Sequence, residues 1–329
     1  MAVRTETTRT ALAHWVRVWS ELTKARLVTL VVVTAGVGYV LASGAAFSWS
    51  RLVWTALGTA LAAAGSMVLN ELLEASRDAL MERTRHRPLP AGEITHRTAA
   101  LVGSVLVVAG LSLLAVCTTL LTSALGLAVV VIYTLVYTPL KTRTSLCTVA
   151  GAVCGALPPM MGWAAAGHGL SFGAWLLAGV LFLWQIPHFL ALAWLYREDY
   201  RRGGFRMLPV VEPDGRSTAR MVTTYSLALA LVALSATPTG LAGTSYAIGS
   251  ALLGAGLLLA GIHLAWTRSD ASARRLFLVT LVYLPLLLGL MVADRRDADY
   301  PSLATTWTDP ATRTASLSIP AVHDVTRGR

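Results

Sequence analysis

Long apolar runs alternate with short polar segments along most of this chain. A helix needs about 20 predominantly apolar residues to cross a bilayer. Several of the runs contain Gly and Pro, which helices in a bilayer tolerate better than soluble helices do. The pattern predicts an all-α integral membrane protein whose nine transmembrane helices lie at 27–46, 51–72, 98–118, 120–140, 145–166, 172–195, 219–239, 243–266 and 275–293.

The first run has an alternative interpretation as a secretory signal peptide, because Ala42-Ser43-Gly44-Ala45 resembles a cleavage site. The apolar part of such a signal usually has about 7–15 residues. The run at 27–46 is longer, and eight more runs follow it. A membrane span is therefore the favoured interpretation.

Composition supports a membrane protein. Of the 329 residues, 55% are hydrophobic and only 13% are charged, whereas a soluble domain carries about 25% charged residues. The three cysteines all lie in apolar runs and form no disulfide framework or C-x-x-C metal motif. A soluble enzyme, a disulfide-rich secreted domain and a disordered chain are excluded.

The net charge of +10 is explained by its distribution. With a cytoplasmic N-terminus, 21 of the 27 Lys and Arg residues fall on the cytoplasmic side, as the positive-inside rule requires. No nucleic-acid partner is needed. The scarcity of Lys beside abundant Arg and Ala suggests a bacterial source, so we expect a multi-pass protein of the bacterial cytoplasmic (inner) membrane, with its active-site loops on the cytoplasmic face.

The unequal loops suggest the domain organisation. A cytoplasmic arm (1–26) precedes a nine-helix domain (27–293), and a polar tail that is expected to be disordered follows at 294–329. Two long loops of this domain, 73–97 and 196–218, are rich in mixed charge and Pro. Long loops in compact domains are often functional, so the chemistry is expected there.

Asn70, Glu74 and Asp78 are spaced by four residues at the end of the second run. On a helix they drift by only about 40° per step and so share one face. They are either a solvated face or an oxygen-ligand set for Mg²⁺, which commonly bridges one or two carboxylates and substrate phosphates. Arg83 and Arg87 follow, and they either form salt bridges or bind phosphate oxygens.

Other polar residues interrupt or follow the later runs. Gln185 and His188 lie within the sixth run, and a second acidic pair, Glu198 and Asp199, follows it on the same side as the first. Such a His is either structural or a ligand. The paired prolines of the fifth run predict a helix break that lines a cavity, and the alternative is a simple kink after a basic anchor. The residues concerned are Pro158, Pro159, Lys141 and Arg143.

Five segments in order, all on one membrane face, resemble the UbiA-type intramembrane prenyltransferases, and in particular their heme-directed branch. They span about residues 70–210. The segments are Asn70–Asp78 with Met81-x-Arg83-Thr84-x-x-Arg87-Pro88-Leu89; Tyr137-Thr138-Pro139-Leu140-Lys141; Gly155-Ala156-x-Pro158-Pro159-x-x-Gly162-Trp163; Trp184-Gln185-x-Pro187-His188-Phe189-x-Ala191-Leu192; and Asp199-Tyr200-x-x-Gly203-Gly204-x-x-Met207-Leu208-Pro209.

The resemblance implies a bundle around a central apolar cavity and the transfer of farnesyl from farnesyl diphosphate to a vinyl group of heme B. It implies Mg²⁺ as cofactor and heme A synthase as a possible partner. The implied roles are catalysis and metal binding for Asn70, Glu74, Asp78 and Asp199; diphosphate binding for Arg83, Arg87, Lys141 and Arg143; and heme binding for His188, Tyr200 and Gln185.

The chain departs from the family pattern at three places. Glu74 stands where the family typically has Asp, and Thr142 separates Lys141 from Arg143, a pair that is often adjacent. Asp199 is not followed by a second Asp four residues later. Two other functions stay open from the residues: a prenyltransferase with a phenolic or quinone-precursor acceptor, and a membrane transporter or heme-binding scaffold, since broken helices and polar groups within spans also mark transporters.

Overall fold

The computed structural model describes residues 13–296. The first twelve residues of the predicted N-terminal arm, and residues 297–329 of the predicted disordered tail, lie outside that range. Within the described residues nine helices are long and apolar enough to cross a membrane, which confirms the predicted fold. They are α1 (Ala25–Ser43), α2 (Trp49–Asp78), α3 (His96–Cys117), α4 (Leu120–Leu140), α5 (Cys147–Ala165), α6 (Phe172–Leu195), α7 (Arg216–Leu234), α8 (Thr244–Thr267) and α9 (Asp270–Ala293).

Helix α2 ends later than the sequence predicts. The apolar run was expected to end at residue 72, but the helix continues to Asp78. The first long loop is therefore residues 79–95, and the second, residues 196–215, contains two short helices, Arg197–Arg202 and Leu208–Val211. The extension keeps Glu74 and Asp78 in helical register with Asn70.

Small residues allow the helices to pack closely. A Cβ added to Gly65 would lie 2.6 Å from the carbonyl oxygen of Gly103, so α2 and α3 approach each other backbone to backbone. At Gly162 of α5 an added Cβ would clash with the carbonyl oxygen of Ala35 in α1. Close approach at small residues is the usual way in which helices associate in a bilayer.

The prediction of a broken fifth helix is wrong, because α5 runs without interruption through Pro158 and Pro159. α6 likewise continues through Pro187. Neighbouring helices support such prolines in a bundle. Pro158 does line a cavity, a narrow apolar one of about 20 Å³ between α1, α2, α4 and α5, whose walls also include Thr59, Ala63 and Met161.

A short N-terminal helix, residues 13–22, precedes the first span. Its buried Val18 and Leu22 pack in one cluster with Val68 and Ala75 of α2 and Leu89 of the first loop. This helix was not predicted, because the arm has no apolar run of its own. Its packing fixes the start of α1 against the end of α2, where the polar residues gather.

Candidate active site

Three polar side chains line the last turns of α2, as their spacing predicts. Asn70 is 0% exposed, Glu74 5% and Asp78 1%. Their alternative interpretation as a solvated face is therefore wrong. Buried carboxylates require partners, because an uncompensated charge in a low-dielectric interior is very unfavourable.

Basic side chains from distant segments supply those partners. Lys141, just after α4, lies 2.8 Å from Oε1 of Glu74 and donates a hydrogen bond of 3.0 Å to Oε2. Arg87 of the first loop donates to Oδ2 of Asp78 at 2.6 Å. The acid and base clusters that the sequence suggested as separate motifs thus form direct ion pairs at one end of the bundle.

The third polar residue of this face, Asn70, is bound on both sides of its amide. Lys24, which directly precedes α1, donates to Oδ1 at 2.7 Å, and the hydroxyl of Tyr133 lies 3.4 Å from the same oxygen. The Nδ2 group donates to Oγ1 of Thr138 at 2.9 Å. Lys24 and Tyr133 were not predicted from the sequence, whereas Thr138 belongs to the Tyr137–Lys141 motif.

A π-helical turn, Ile132–Tyr137, shapes the α4 side of the site. The hydroxyl of Thr138 donates to the carbonyl oxygen of Tyr133, five residues earlier, at 2.7 Å. The ring of Tyr137 lies beneath the ammonium of Lys141, 4.4 Å from centroid to nitrogen. Turns of this kind are frequent at functional sites, and this one places Tyr133 and Thr138 against Asn70 of α2 and Tyr137 beneath Lys141.

The two lysines differ in their proton affinity. Burial, reinforced by the charges of Arg87 and Lys141, lowers the pKa of the Lys24 ammonium to about 8. Burial also lowers the pKa of Lys141, but the charge of Glu74 and its hydrogen bond outweigh burial, and the net result is a raised pKa. Lys141 is thus held firmly as a cation by Glu74.

The second loop is fastened to the first by Asp199. Its two carboxylate oxygens accept hydrogen bonds from the backbone N–H groups of Glu82 and Arg83, at 3.2 and 3.3 Å. The guanidinium of Arg83 lies over the ring of Tyr196, 5.0 Å from its centroid, and over that of Tyr200 at 6.0 Å. Asp199 therefore links the second loop to the backbone of the first loop.

Two residues stand apart from the expectations. Arg143 is exposed on the turn after α4 and makes no ion pair within residues 13–296, so the structure does not bring it to the carboxylates.

Glu71, which was not predicted from the sequence, is fully buried, and neither carboxylate oxygen has a direct hydrogen-bond partner among the described residues. The positive charges of Lys24 and Arg87 act favourably on its carboxylate.

The donor set fits Mg²⁺ when the substrate completes the site. No three Asp, Glu, His or Cys side chains within residues 13–296 are gathered closely enough to hold a metal ion by themselves. Mg²⁺, however, commonly takes one or two carboxylates and fills its other positions with phosphate oxygens and water. Asn70, Glu74 and Asp78 offer oxygen donors of this kind, and the two carboxylate oxygens of Glu71 add buried acceptors that no hydrogen bond among the described residues uses.

The candidate heme residues lie on α6. His188 is stacked between Trp184 and Phe277, at centroid distances of 4.8 and 5.0 Å, and its Nδ1 lies 2.9 Å from Oγ1 of Thr280. The one hydroxyl proton of Thr280 is donated to the carbonyl oxygen of Phe277 at 2.6 Å. This arrangement favours the tautomer of the neutral ring that is protonated on Nδ1, which leaves the lone pair on Nε2.

Gln185, the other residue selected on α6, crosslinks two helices. Its Nε2 donates to the carbonyl oxygens of Ala152 at 3.1 Å and Leu181 at 3.0 Å. The side chain occupies the space that a Cβ on Gly155 would need. Its donors are thus used within the protein. Tyr200 is half-buried in the second loop, where its ring meets that of Phe205 edge-on.

Comparison with known proteins agrees with this geometry. The UbiA prenyltransferase family matches residues 31–286. A protoheme IX farnesyltransferase of Solibacter usitatus is 41% identical over 288 residues, which cover 85% of this chain and 99% of that relative.

Solved structures share the fold. One is a digeranylgeranylglyceryl phosphate synthase (TM-score 0.73, 15% identity, 85% of this chain and 98% of its own). Another is a UbiA homologue from Archaeoglobus fulgidus bound to DMAPP and Mg²⁺ (TM-score 0.62, 16% identity, 83% of this chain and 99% of its own). The match over most of the length, the identity to the Solibacter protein and the buried polar end of α2 lead to one conclusion: this chain belongs to the UbiA prenyltransferase family.

Proposed function

We propose that this protein transfers a farnesyl group from farnesyl diphosphate to a vinyl group of heme B and so makes heme O. The observation that carries prenyl transfer is the set of buried acid–base pairs at the last turns of α2, with Lys141 on Glu74 and Arg87 on Asp78. The choice of acceptor is supported by the 41% identity to a protoheme IX farnesyltransferase.

Asn70, Glu74, Asp78 and Asp199 would hold Mg²⁺, which the Archaeoglobus homologue binds together with DMAPP. Bound there, the metal ion supplies positive charge that makes diphosphate a better leaving group. Arg83, Arg87, Lys141 and Arg143 bind the remaining diphosphate oxygens. Arg87 and Lys141 already lie beside the carboxylates, whereas Arg143 has to turn inward from its exposed position.

In the transfer, the C1–O bond of farnesyl diphosphate breaks and its electron pair leaves with diphosphate. The π electrons of the heme vinyl group form the new bond to C1 and leave a cation on the carbon next to the porphyrin ring. Water adds there and releases one proton to solvent. The product carries a hydroxyethylfarnesyl group, and the sum is heme B, farnesyl diphosphate and water giving heme O and diphosphate.

The protein's own contribution is to position the reactants and exclude water. Ala63 lies seven residues before Asn70 on α2 and lines the apolar cavity, so the cavity lies along the face of the helix that leads into the membrane from the polar site. The prenyl chain enters there as the helices part. Apolar walls protect an allylic cation from early capture by water.

On the acceptor side, His188 binds heme through Nε2, the nitrogen that Thr280 leaves unprotonated, because a neutral imidazole is a good ligand for iron. Tyr200 and Gln185 contact the porphyrin. For Gln185 this contact uses the side-chain oxygen, since Nε2 already donates to two carbonyl groups.

The excess of basic residues on one side supports a cytoplasmic N-terminus and active-site loops on the cytoplasmic face of a bacterial inner membrane. Heme O leaves the reaction with an intact methyl group for later oxidation, so a heme A synthase is the partner that consumes it.

The test is a direct assay. Purified protein in detergent is incubated with heme B, farnesyl diphosphate and Mg²⁺, and the extracted hemes are analysed by mass spectrometry, with EDTA as control. A heme O mass that disappears with EDTA is the expected result. Diphosphate release only with phenolic acceptors would transfer the proposal to that acceptor class. If folded protein yields neither product nor released diphosphate, the proposal of prenyl transfer is overturned.

A further inference from the structure

Both lysines of this chain lie at the same site. Of the 27 Lys and Arg residues of the chain, only Lys24 and Lys141 are lysines. They bind Asn70 and Glu74, which are neighbours on one face of α2. Elsewhere the chain uses Arg for its positive charges. A lysine ammonium is a compact charge with three donors, and this chain places both of its lysines at this one site.

Lys24 is also held in an unusual backbone conformation. Its φ is 49°, in the left-handed region that residues with a Cβ rarely adopt. Only Arg268 shares a positive φ among the described non-glycine residues, and it is exposed at the end of α8. Strained conformations persist where the surrounding structure enforces them, and they cluster at ligand sites. Here the N-terminal helix and the start of α1 hold Lys24 beside Asn70.

The ammonium of Lys24 retains donors for a ligand. One N–H group is used by Asn70, and the described residues provide no second hydrogen bond to this nitrogen. Arg87 and Lys141 lie close enough to repel it, and the carboxylates of Glu74 and Glu71 attract it. With Mg²⁺ bound by the carboxylates, the three cations would leave a net positive site for a multiply charged anion, whose oxygens accept several charge-assisted hydrogen bonds at once.

We propose that Lys24 is a substrate-binding residue that binds an oxyanionic group of one of the two substrates, an inference that rests on the proposed function. Two groups have this chemistry, the diphosphate of the prenyl donor and a propionate of the heme. Lys24 belongs to the part of the chain before the first span, so it adds a ligand-binding element from outside the five motifs of residues 70–210.

The test compares three variants of the full-length protein in detergent. Lys24→Gln removes the charge but keeps an N–H donor for Asn70. Lys24→Arg keeps the charge, and Arg268→Met changes the residue with the matching backbone conformation outside the site. Binding is measured by calorimetry with inorganic diphosphate in the presence of Mg²⁺, and by the Soret band with heme B and with its dimethyl ester.

Removal of one charge-assisted hydrogen bond weakens binding by about 10-fold or more. If diphosphate is the ligand, Lys24→Gln shows this loss for inorganic diphosphate and binds heme B normally. If a propionate is the ligand, the variant binds heme B as weakly as wild-type protein binds the dimethyl ester. Lys24→Arg restores most of the affinity in either case, and Arg268→Met behaves like wild type.

The proposal is overturned if Lys24→Gln remains folded and binds both ligands within twofold of wild type, because Lys24 would then only hold Asn70. If Lys24→Gln does not fold, the decision rests on Lys24→Arg. Unchanged affinity of this variant for both ligands, with an unchanged salt dependence of binding, supports the role of the positive charge. A loss of affinity without a loss of stability contradicts that role. Turnover by wild-type protein is assayed separately, so that absence of heme O refutes the proposed function while the binding measurements still report on Lys24.

Discussion

Lys141 contacts both carboxylate oxygens of Glu74, at 2.8 and 3.0 Å, across 67 residues of sequence. Both side chains are buried. The pair joins the end of α4 to α2, and the backbone N–H of Arg206 in the second loop donates to the carbonyl oxygen of Lys141 at 2.6 Å. One residue thus connects two helices and a loop, and stability and function are expected to depend on it together.

Lys141→Met should destabilise the protein strongly. It leaves Glu74 buried without its cation, and loss of one partner of a buried ion pair costs about 3–5 kcal/mol. We expect a lower midpoint of thermal unfolding in detergent and loss of prenyl transfer. Lys141→Arg keeps the charge and should recover part of the stability. A methionine variant as stable as wild type would show that Glu74 has another partner.

Asp78→Asn should reduce prenyl transfer by about 100-fold or more while the protein stays folded, because loss of a group that stabilises developing charge costs rates of this order. Heme O formation under saturating substrates measures the effect. Asp214→Asn is the matched control, since Asp214 is exposed in the second loop and pairs with Arg216. Retained turnover in Asp78→Asn removes this residue from the proposed metal site.

Thr280→Val should alter heme binding. Thr280 is not proposed to contact the heme itself but is hydrogen-bonded to His188, which is. Without the Oγ1 acceptor at 2.9 Å, the proton of His188 is free to move to Nε2 and compete with iron. The Soret spectrum of added heme should shift, and Thr280→Ser should resemble wild type. His188→Ala should weaken heme binding, and His168→Ala, in the loop between α5 and α6, serves as control. Identical spectra for all four variants would make His188 a packing residue.

Asp199→Ala should loosen the first loop. Its two oxygens accept the N–H groups of Glu82 and Arg83, and charge-assisted hydrogen bonds of this kind protect an amide by about 10-fold or more. Hydrogen–deuterium exchange of peptides from residues 79–95 measures this. Glu198→Ala removes the adjacent carboxylate, which pairs with Arg201 instead, and should leave exchange unchanged. Equal exchange in both variants would contradict the proposal that Asp199 holds the first loop through these two hydrogen bonds.

Periodicity predicted the part of this site that lies on one helix. Asn70, Glu74 and Asp78 share a face because a spacing of four is a property of any helix. Lys24 and Tyr133 could not be found in that way, since their relation to Asn70 depends on how three helices distant in sequence pack together. Arg143 shows the opposite limit, because the charge of a residue near a motif does not fix where its side chain lies.

The π-helical turn at Ile132–Tyr137 holds one residue more than an α-helical turn would. If the same residues formed a regular α-helix instead, everything after them would be rotated by about 100° around the axis of α4, and Lys141 would be carried away from Glu74. Nine apolar runs would remain, and hydropathy would register no change. The backbone conformation of this stretch thus decides whether Lys141 meets Glu74, although the hydropathy pattern does not record it.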